Sequence, residues 1–220
     1  MNMHRPFHRW SHQSHKTERH MVFPDGCRDV LIAQKTDGPI EVTLTNFDFT
    51  PRMVMTHSGV QMTGYRLRPG AVVFPKTLEA ITRNPCQAEA ILTSTFGAWN
   101  DLDDTIMALT APDASVQTVA RHAGVSIRTL QRQFLAQHLP APDFWRLLAR
   151  ARRAAGMLVR SEPLAEIASA CGFSDQAHMS RDLLRWFGCS PAQLRRNASV
   201  LDLLRQPALG NWTGEQISTR

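Results

Sequence analysis

Lysine is nearly missing from this 220-residue chain. It stands only at Lys16, Lys35 and Lys76, so 22 of the 25 basic side chains are arginine. No stretch approaches the roughly 18–20 uninterrupted apolar residues that a membrane span needs. The opening MNMHRPFHRWSHQSHK lacks the apolar segment of a secretory leader. Cysteine is sparse, and Cys27, Cys86, Cys171 and Cys189 show no C-x-x-C spacing. That argues against a zinc knuckle or a disulfide framework, and a reducing cytosol fits best. No Gly-rich phosphate loop and no Ser/His/Asp arrangement is visible, and His57, the only histidine between His20 and residue 97, has no H-x-H pattern around it. The expectation is a cytoplasmic protein with no membrane segment, no cofactor, no metal and no catalytic residues.

What is present is an arginine-rich, foldable chain. Hydrophobic residues make up 43% and charged residues 20%, enough apolar surface for one sizeable core or two small ones. Between Ser115 and Arg196 there are 12 arginines against 5 acids, a balance of +7 that exceeds the +6 of the whole chain. Arginine suits forked recognition of phosphate and guanine edges, so a localised excess suggests a nucleic-acid partner. The plainer reading of such a run is a solvated face.

Composition changes near residue 100. From His20 to Leu92 the chain reads as short strands: HMVF, RDVLIA, IEVTLTNF, RMVMT, VQMTGYRL and AVVF, punctuated by turns such as Pro24-Asp25-Gly26 and Pro69-Gly70. From Ala98 the period is helical, with helices expected at Asp101–Leu109, Val116–His122, Ile127–Gln137, Asp143–Arg160, Pro163–Ala170, Gln176–Trp186 and Pro191–Arg195. The expected fold class is α+β. A small antiparallel β domain with a His-rich arm occupies 1–97, an all-α seven-helix domain 98–198, and a frayed tail 199–220.

The helical half repeats itself. Ala120, Gly124 and Ser126 recur 48 residues later as Ala168, Gly172 and Ser174; after one extra residue, Leu130 matches Met179 and Arg132 matches Arg181. Each copy reads as a helix-turn-helix. The alanines let two helices approach, the glycines supply positive φ for the turn, and the serines are placed to N-cap the second helix. Val125 and Phe173 would plug the corner, while Leu130 with Phe134 and Met179 with Leu183 continue the buried stripe. Arg128, Gln131 and Arg132 then point outward in the first copy, and Gln176, Ala177, His178 and Arg181 in the second. Such side chains suit base edges in a major groove. Ser126, Thr129 and Ser174, at the helix starts, complete the candidate contact set.

At these residues the chain resembles the AraC/XylS family of bacterial transcription regulators. The resemblance covers about Ser115 to Arg196: GVSIRTLQRQF follows the family's first motif, and IASACGFSDQAHMSRDLLRWFGCSPAQLRR its second. It implies a seven-helix domain whose two motifs are spaced by one long helix and enter successive major grooves of operator DNA. It also implies RNA polymerase as a partner. Ala177 would be limited to apolar contact, such as a thymine methyl. The sequence departs from the pattern at Met179, where an aromatic is usual, and at Leu183 and Leu184, where Phe and a basic residue are common. Leu139 stands where glycine commonly follows the first reading helix. In the other half, PDGCRDVLI and GYRLRPGA resemble a short β domain of some relatives, which senses an effector or mediates homodimerisation.

Other readings compete. His8, His12 and His15 would line one helical face and, with His4 and His20, invite a metal; without a carboxylate or Cys ligand at regular spacing, a flexible arm is the plainer reading. Asp25, Arg28, Arg66 and Arg68 are the residues best able to form an anionic effector pocket, although the arginines could equally pair with acids across the sheet. Cys27 beside Arg28 reads as a packed thiol. The alternative function is an effector-binding or metal-dependent enzymatic β domain with vestigial DNA binding.

Overall fold

The computed structural model describes residues 6–36, 38–96 and 99–212. Six strands come first: β1 (Phe7–Gln13), β2 (Glu18–Val22), β3 (Asp29–Lys35), β4 (Ile40–Leu44), β5 (Arg52–Thr56) and β6 (Val60–Leu67). Ten α-helices follow: α1 (Pro75–Arg83), α2 (Ala88–Phe96), α3 (Asp101–Leu109), α4 (Val116–His122), α5 (Ile127–Ala136), α6 (Pro142–Met157), α7 (Leu164–Ala170), α8 (Gln176–Phe187), α9 (Pro191–Arg196) and α10 (Ala198–Arg205). The protein is therefore α+β, with seven helices, α3 to α9, between residues 98 and 198 as expected.

The strands form an antiparallel four-stranded sheet in the order β1-β6-β3-β4 and a separate ribbon of β2 with β5. One sheet face buries Phe7, Val30, Tyr65 and Leu67, and α1 and α2 cover it with Ile81, Ala88, Leu92 and Phe96. Ala88, Leu92 and Phe96 follow an i, i+4, i+8 stripe, which is why α2 lies flat on the sheet. The AVVF run expected as a strand is irregular instead. It delivers Pro75 to the first position of α1, where proline's fixed φ starts a helix.

Helix α6 is the centre of the larger core. Phe144, Trp145, Leu148, Ala149, Ala151, Ala154 and Ala155 are all buried, so this helix is enclosed on most sides. Its alanines keep the contact surface thin and let neighbouring helices approach closely. The β half reaches into the same core. The Phe47 ring lies 5.5 Å from that of Trp145, Phe49 lies 5.0 Å from Phe144, and Phe23 lies 6.3 Å from Phe187.

Two expectations are corrected. Residues 199 onward are no frayed tail as far as they are described: α10 buries Leu201 and Leu204, and Ala208, Leu209 and Trp212 are buried beyond it. The buried Arg152 guanidinium holds this segment, donating to Leu209 O at 3.2 Å and Gln206 O at 2.9 Å. The Leu209 amide donates to Asp25 O at 3.0 Å. Nor do the histidines form a loose arm or a helical face. His8 and His12 lie on β1, His20 lies on β2, His15 sits in the link between them, and His4 lies outside the described residues. His8 is buried with its ring 4.4 Å from that of Trp212, because the C-terminal segment closes over this strand. Among the described residues no cluster of three or more His, Cys, Asp or Glu is arranged to hold a metal.

Candidate nucleic-acid interface

The two repeats build the same backbone. In the first, Ser115 opens α4 with a capping box to Thr118, and Ala123 and Gly124 end the helix. Gly124 adopts φ 68°, and the Val125 amide returns to Ala120 O at 2.9 Å. In the second, Gly172 adopts φ 75° and the Phe173 amide returns to Ala168 O, again at 2.9 Å. Both turns thus need the left-handed conformation that glycine adopts without strain. The small Ala120 and Ala168 are fully enclosed where the paired helices cross.

Each second helix buries one stripe and exposes another. In α5, Leu130 and Phe134 face the core while Arg128, Thr129, Gln131 and Arg132 are exposed. In α8, Met179 and Leu183 are completely buried while Gln176, Ala177 and Arg181 are exposed. Methionine and leucine fill the space an aromatic pair would take, so the departures leave the inner stripe intact.

A family described as a helix-turn-helix domain matches residues 119–197. Over 89 residues the chain is 35% identical to the HTH-type transcriptional regulator VirS of Mycobacterium tuberculosis, covering 39% of this chain and 25% of VirS. Residues 119–197 therefore match a helix-turn-helix domain in sequence as well as in backbone. A transcriptional regulator with an AraC-type DNA-binding domain from Chromobacterium violaceum covers 48% of this chain and 90% of its own, at 28% identity and a TM-score of 0.38. ToxT from Vibrio cholerae O395 covers 91% of this chain and 99% of its own, at 9% identity and a TM-score of 0.46. The chain therefore spans a quarter of the length of the VirS relative it matches.

Within the helix-turn-helix domain several details differ from expectation. Ser126 caps α5, its hydroxyl accepting the Thr129 amide at 3.1 Å, but Ser174 does not cap α8. Asp175 does, accepting the His178 amide at 2.7 Å. The extra residue of the second copy moves the last extended position from 174 to 175, and that residue becomes the cap. The amide bond also holds the Asp175 carboxyl below its ordinary pKa. Ser174 instead approaches His178 Nδ1 at 3.0 Å. His178 is only partly exposed: its Nε2 lies 3.3 Å from Arg150 Nη2, and its ring packs edge-on to Phe173 at 5.3 Å. Both ring nitrogens thus have partners inside the protein, while the side chain stays about a third exposed. After α5 the left-handed position falls on His138, with φ 54°, and not on Leu139, which is buried.

The four residues expected to form an anionic pocket are gathered near the seam between the two halves, and Arg66 and Arg68 are already paired with carboxylates there. Arg66 pairs with Asp25 at 3.1 Å and Asp29 at 3.7 Å. Burial works against its charge, and the two carboxylates outweigh burial. Arg68 grips both oxygens of Asp103 at 2.8 Å and donates to Phe96 O at 2.7 Å. Arg28 donates to Ala71 O at 2.6 Å and lies 4.8 Å from the Phe47 ring centre. Buried with such partners, Arg66 fastens the β half internally and Arg68 ties it to α3. Cys27 is a packed thiol whose pKa is pushed well up by burial and then by Asp25.

Sequence reasoning missed the basic side chains that α6 contributes. Arg150 and Arg152, two of the twelve arginines of the basic run, are internal fasteners. Another feature lies under the first motif. The segment through Val72 and Phe74, helix α3 and the inner side of α5 enclose a cleft of about 700 Å³, bordered by Leu130, Gln133 and Gln137.

Proposed function

We propose that this chain is a sequence-specific DNA-binding regulator of transcription that reads two successive major grooves with α5 and α8. One observation carries the reading: two helix-turn-helix units with matching turn hydrogen bonds lean on one shared helix, and the outer faces of both carry exposed arginine and glutamine. Arginine–phosphate contacts and helix N-termini would supply affinity, whereas Arg128, Gln131 and Arg132 on α5 and Gln176, Ala177 and Arg181 on α8 would supply base choice. The reading invokes no catalytic step and places the protein in the cytoplasm, acting with RNA polymerase at an operator. The β half, joined to the helical core through Phe23, Phe47 and Phe49, would carry any homodimer contact or effector response.

Selection of duplexes from a random pool at two salt concentrations tests this. The expected product is a motif with two specific blocks about 10 base pairs apart, one helical turn. On the best site Arg132→Ala is expected to cost about 1–3 kcal/mol and to relax choice at one base pair. Binding that enriches no motif and fades uniformly as salt rises would reduce the domain to a basic surface and sink the proposal.

A further inference from the structure

Arg150 leaves the middle of α6 and enters the second motif. Its Nη2 donates to Asp182 Oδ2 at 2.7 Å, its Nη1 reaches Gly172 O at 3.4 Å, and the guanidinium lies 4.3 Å from the Phe173 ring centre. One side chain thus touches the turn and, through His178 and Asp182, the first two turns of α8. A guanidinium can only donate, so His178 Nε2 accepts from Arg150, and its proton sits on Nδ1 beside Ser174. The side chains of Arg150 and Asp182 are 13% and 16% exposed, shielded enough for the pair to be directional.

The first motif has no counterpart. Residues 116–136 contain no acid at all, so α6 has nothing there to grip with a charge. Apolar packing by Met179 and Leu183 sets how deep α8 sits, but a stripe of flexible side chains resists rotation and sliding poorly. A guanidinium that pairs with Asp182 through Nη2 and reaches the Gly172 carbonyl through Nη1 supplies that resistance.

We propose that Arg150 is a positioning residue for base choice: it sets the angle at which Gln176, Ala177 and Arg181 are presented, and does so for the second helix alone. The proposal rests on the DNA-reading function above. It gives Asp182 and His178 a role in holding that angle.

The test repeats duplex selection with the full 220-residue chain as wild type, Arg150→Ala, Arg150→Lys and Asp182→Asn, with thermal melts alongside. In Arg150→Ala the preference at the second block is expected to fall about tenfold per preferred base pair, while the first block keeps its preference. Asp182→Asn should move the same block in the same direction, and Arg150→Lys, which keeps the charge and loses the fork, should fall between. Equal loss at both blocks would mark Arg150 as a general stabiliser and overturn the proposal, as would an unchanged second block. Should Arg150→Ala fail to fold, the Lys and Asn variants decide on the same criterion. A wild-type chain that selects no two-block motif would sink the DNA reading itself, a failure visible before any variant is compared.

Discussion

The two helix-turn-helix units share a turn, a crossing alanine and a buried stripe, yet they are held by different forces. Around α5 the supports are apolar and neutral: Leu130 and Phe134 inside, the Ser126 hydroxyl as cap, and an open cleft behind. Around α8 they are ionic: Asp175 as cap, the Arg150–Asp182 pair at the flank, and His178 wedged between. The same backbone therefore does not imply the same stiffness. Apolar packing is non-directional, so α5 has room to settle against what it meets, whereas hydrogen-bonded charge fixes orientation and keeps α8 in one pose.

The sharpest way to break that contrast is at the turns. Gly172→Val forces a β-branched residue to φ 75°, where the new Cβ would also stand 3.4 Å from the Pro112 carbonyl. We expect a loss of about 2–3 kcal/mol in denaturant unfolding. Gly124→Val meets the same backbone penalty, but nothing lies within 4 Å of its Cβ, so its loss should be the smaller of the two. Equal losses would mean that the Pro112 carbonyl adds nothing to the backbone penalty at the second turn.

A smaller effect concerns the reading faces. Leu184 is 55% exposed on α8, at a position where related domains often carry a basic residue. Leu184→Lys should tighten DNA binding severalfold at low salt and steepen the salt slope by about one. An unchanged slope would show that this flank of α8 stays clear of the phosphates.

The smallest expected effect separates the two caps. Folding favours the charged form of Asp175, whose carboxyl sits below the ordinary 3.8 mainly because it accepts the His178 amide. Its support is therefore complete above that value and is lost as pH falls through the lowered one. Ser126 does not titrate. As pH falls below 3.8, the His178 amide should lose exchange protection before the Thr129 amide does. Simultaneous loss would remove the distinction between a charged and a neutral cap.

The sequence made the helical half legible because its repeat is local: alanine, glycine and serine at matched spacing declare a helix pair within a dozen residues. It concealed elements whose evidence lies far away in the chain. β1 reads as polar because His8 and Trp10 alternate with Arg9 and Ser11; only pairing with β6 and cover from Trp212 make it a strand. Helix α2 carries Thr93, Ser94 and Thr95, poor helix formers, and is held by the sheet beneath Leu92 and Phe96. The arginines were hardest to read. Arg68 finds Asp103 35 residues on, and Arg152 finds Leu209 57 residues on, so a count of charges that looked like surface was partly interior. The one-residue insertion before α8 was visible, but its transfer of the cap from Ser174 to Asp175 was not.

The meeting of the two chain regions at Trp212 bears on how the protein is made. The small core of Cys27, Ala208 and Trp212 joins a residue from the start of the chain to the last described turn. During synthesis Trp212 is added after both helix-turn-helix units, so the β half lacks its cover over His8 and Cys27 until that residue arrives. A nascent chain cut short after α9 would carry both helix-turn-helix units without this closure. Its Cys27 thiol, shut away in the finished protein, would then mark incomplete molecules as open to thiol reagents.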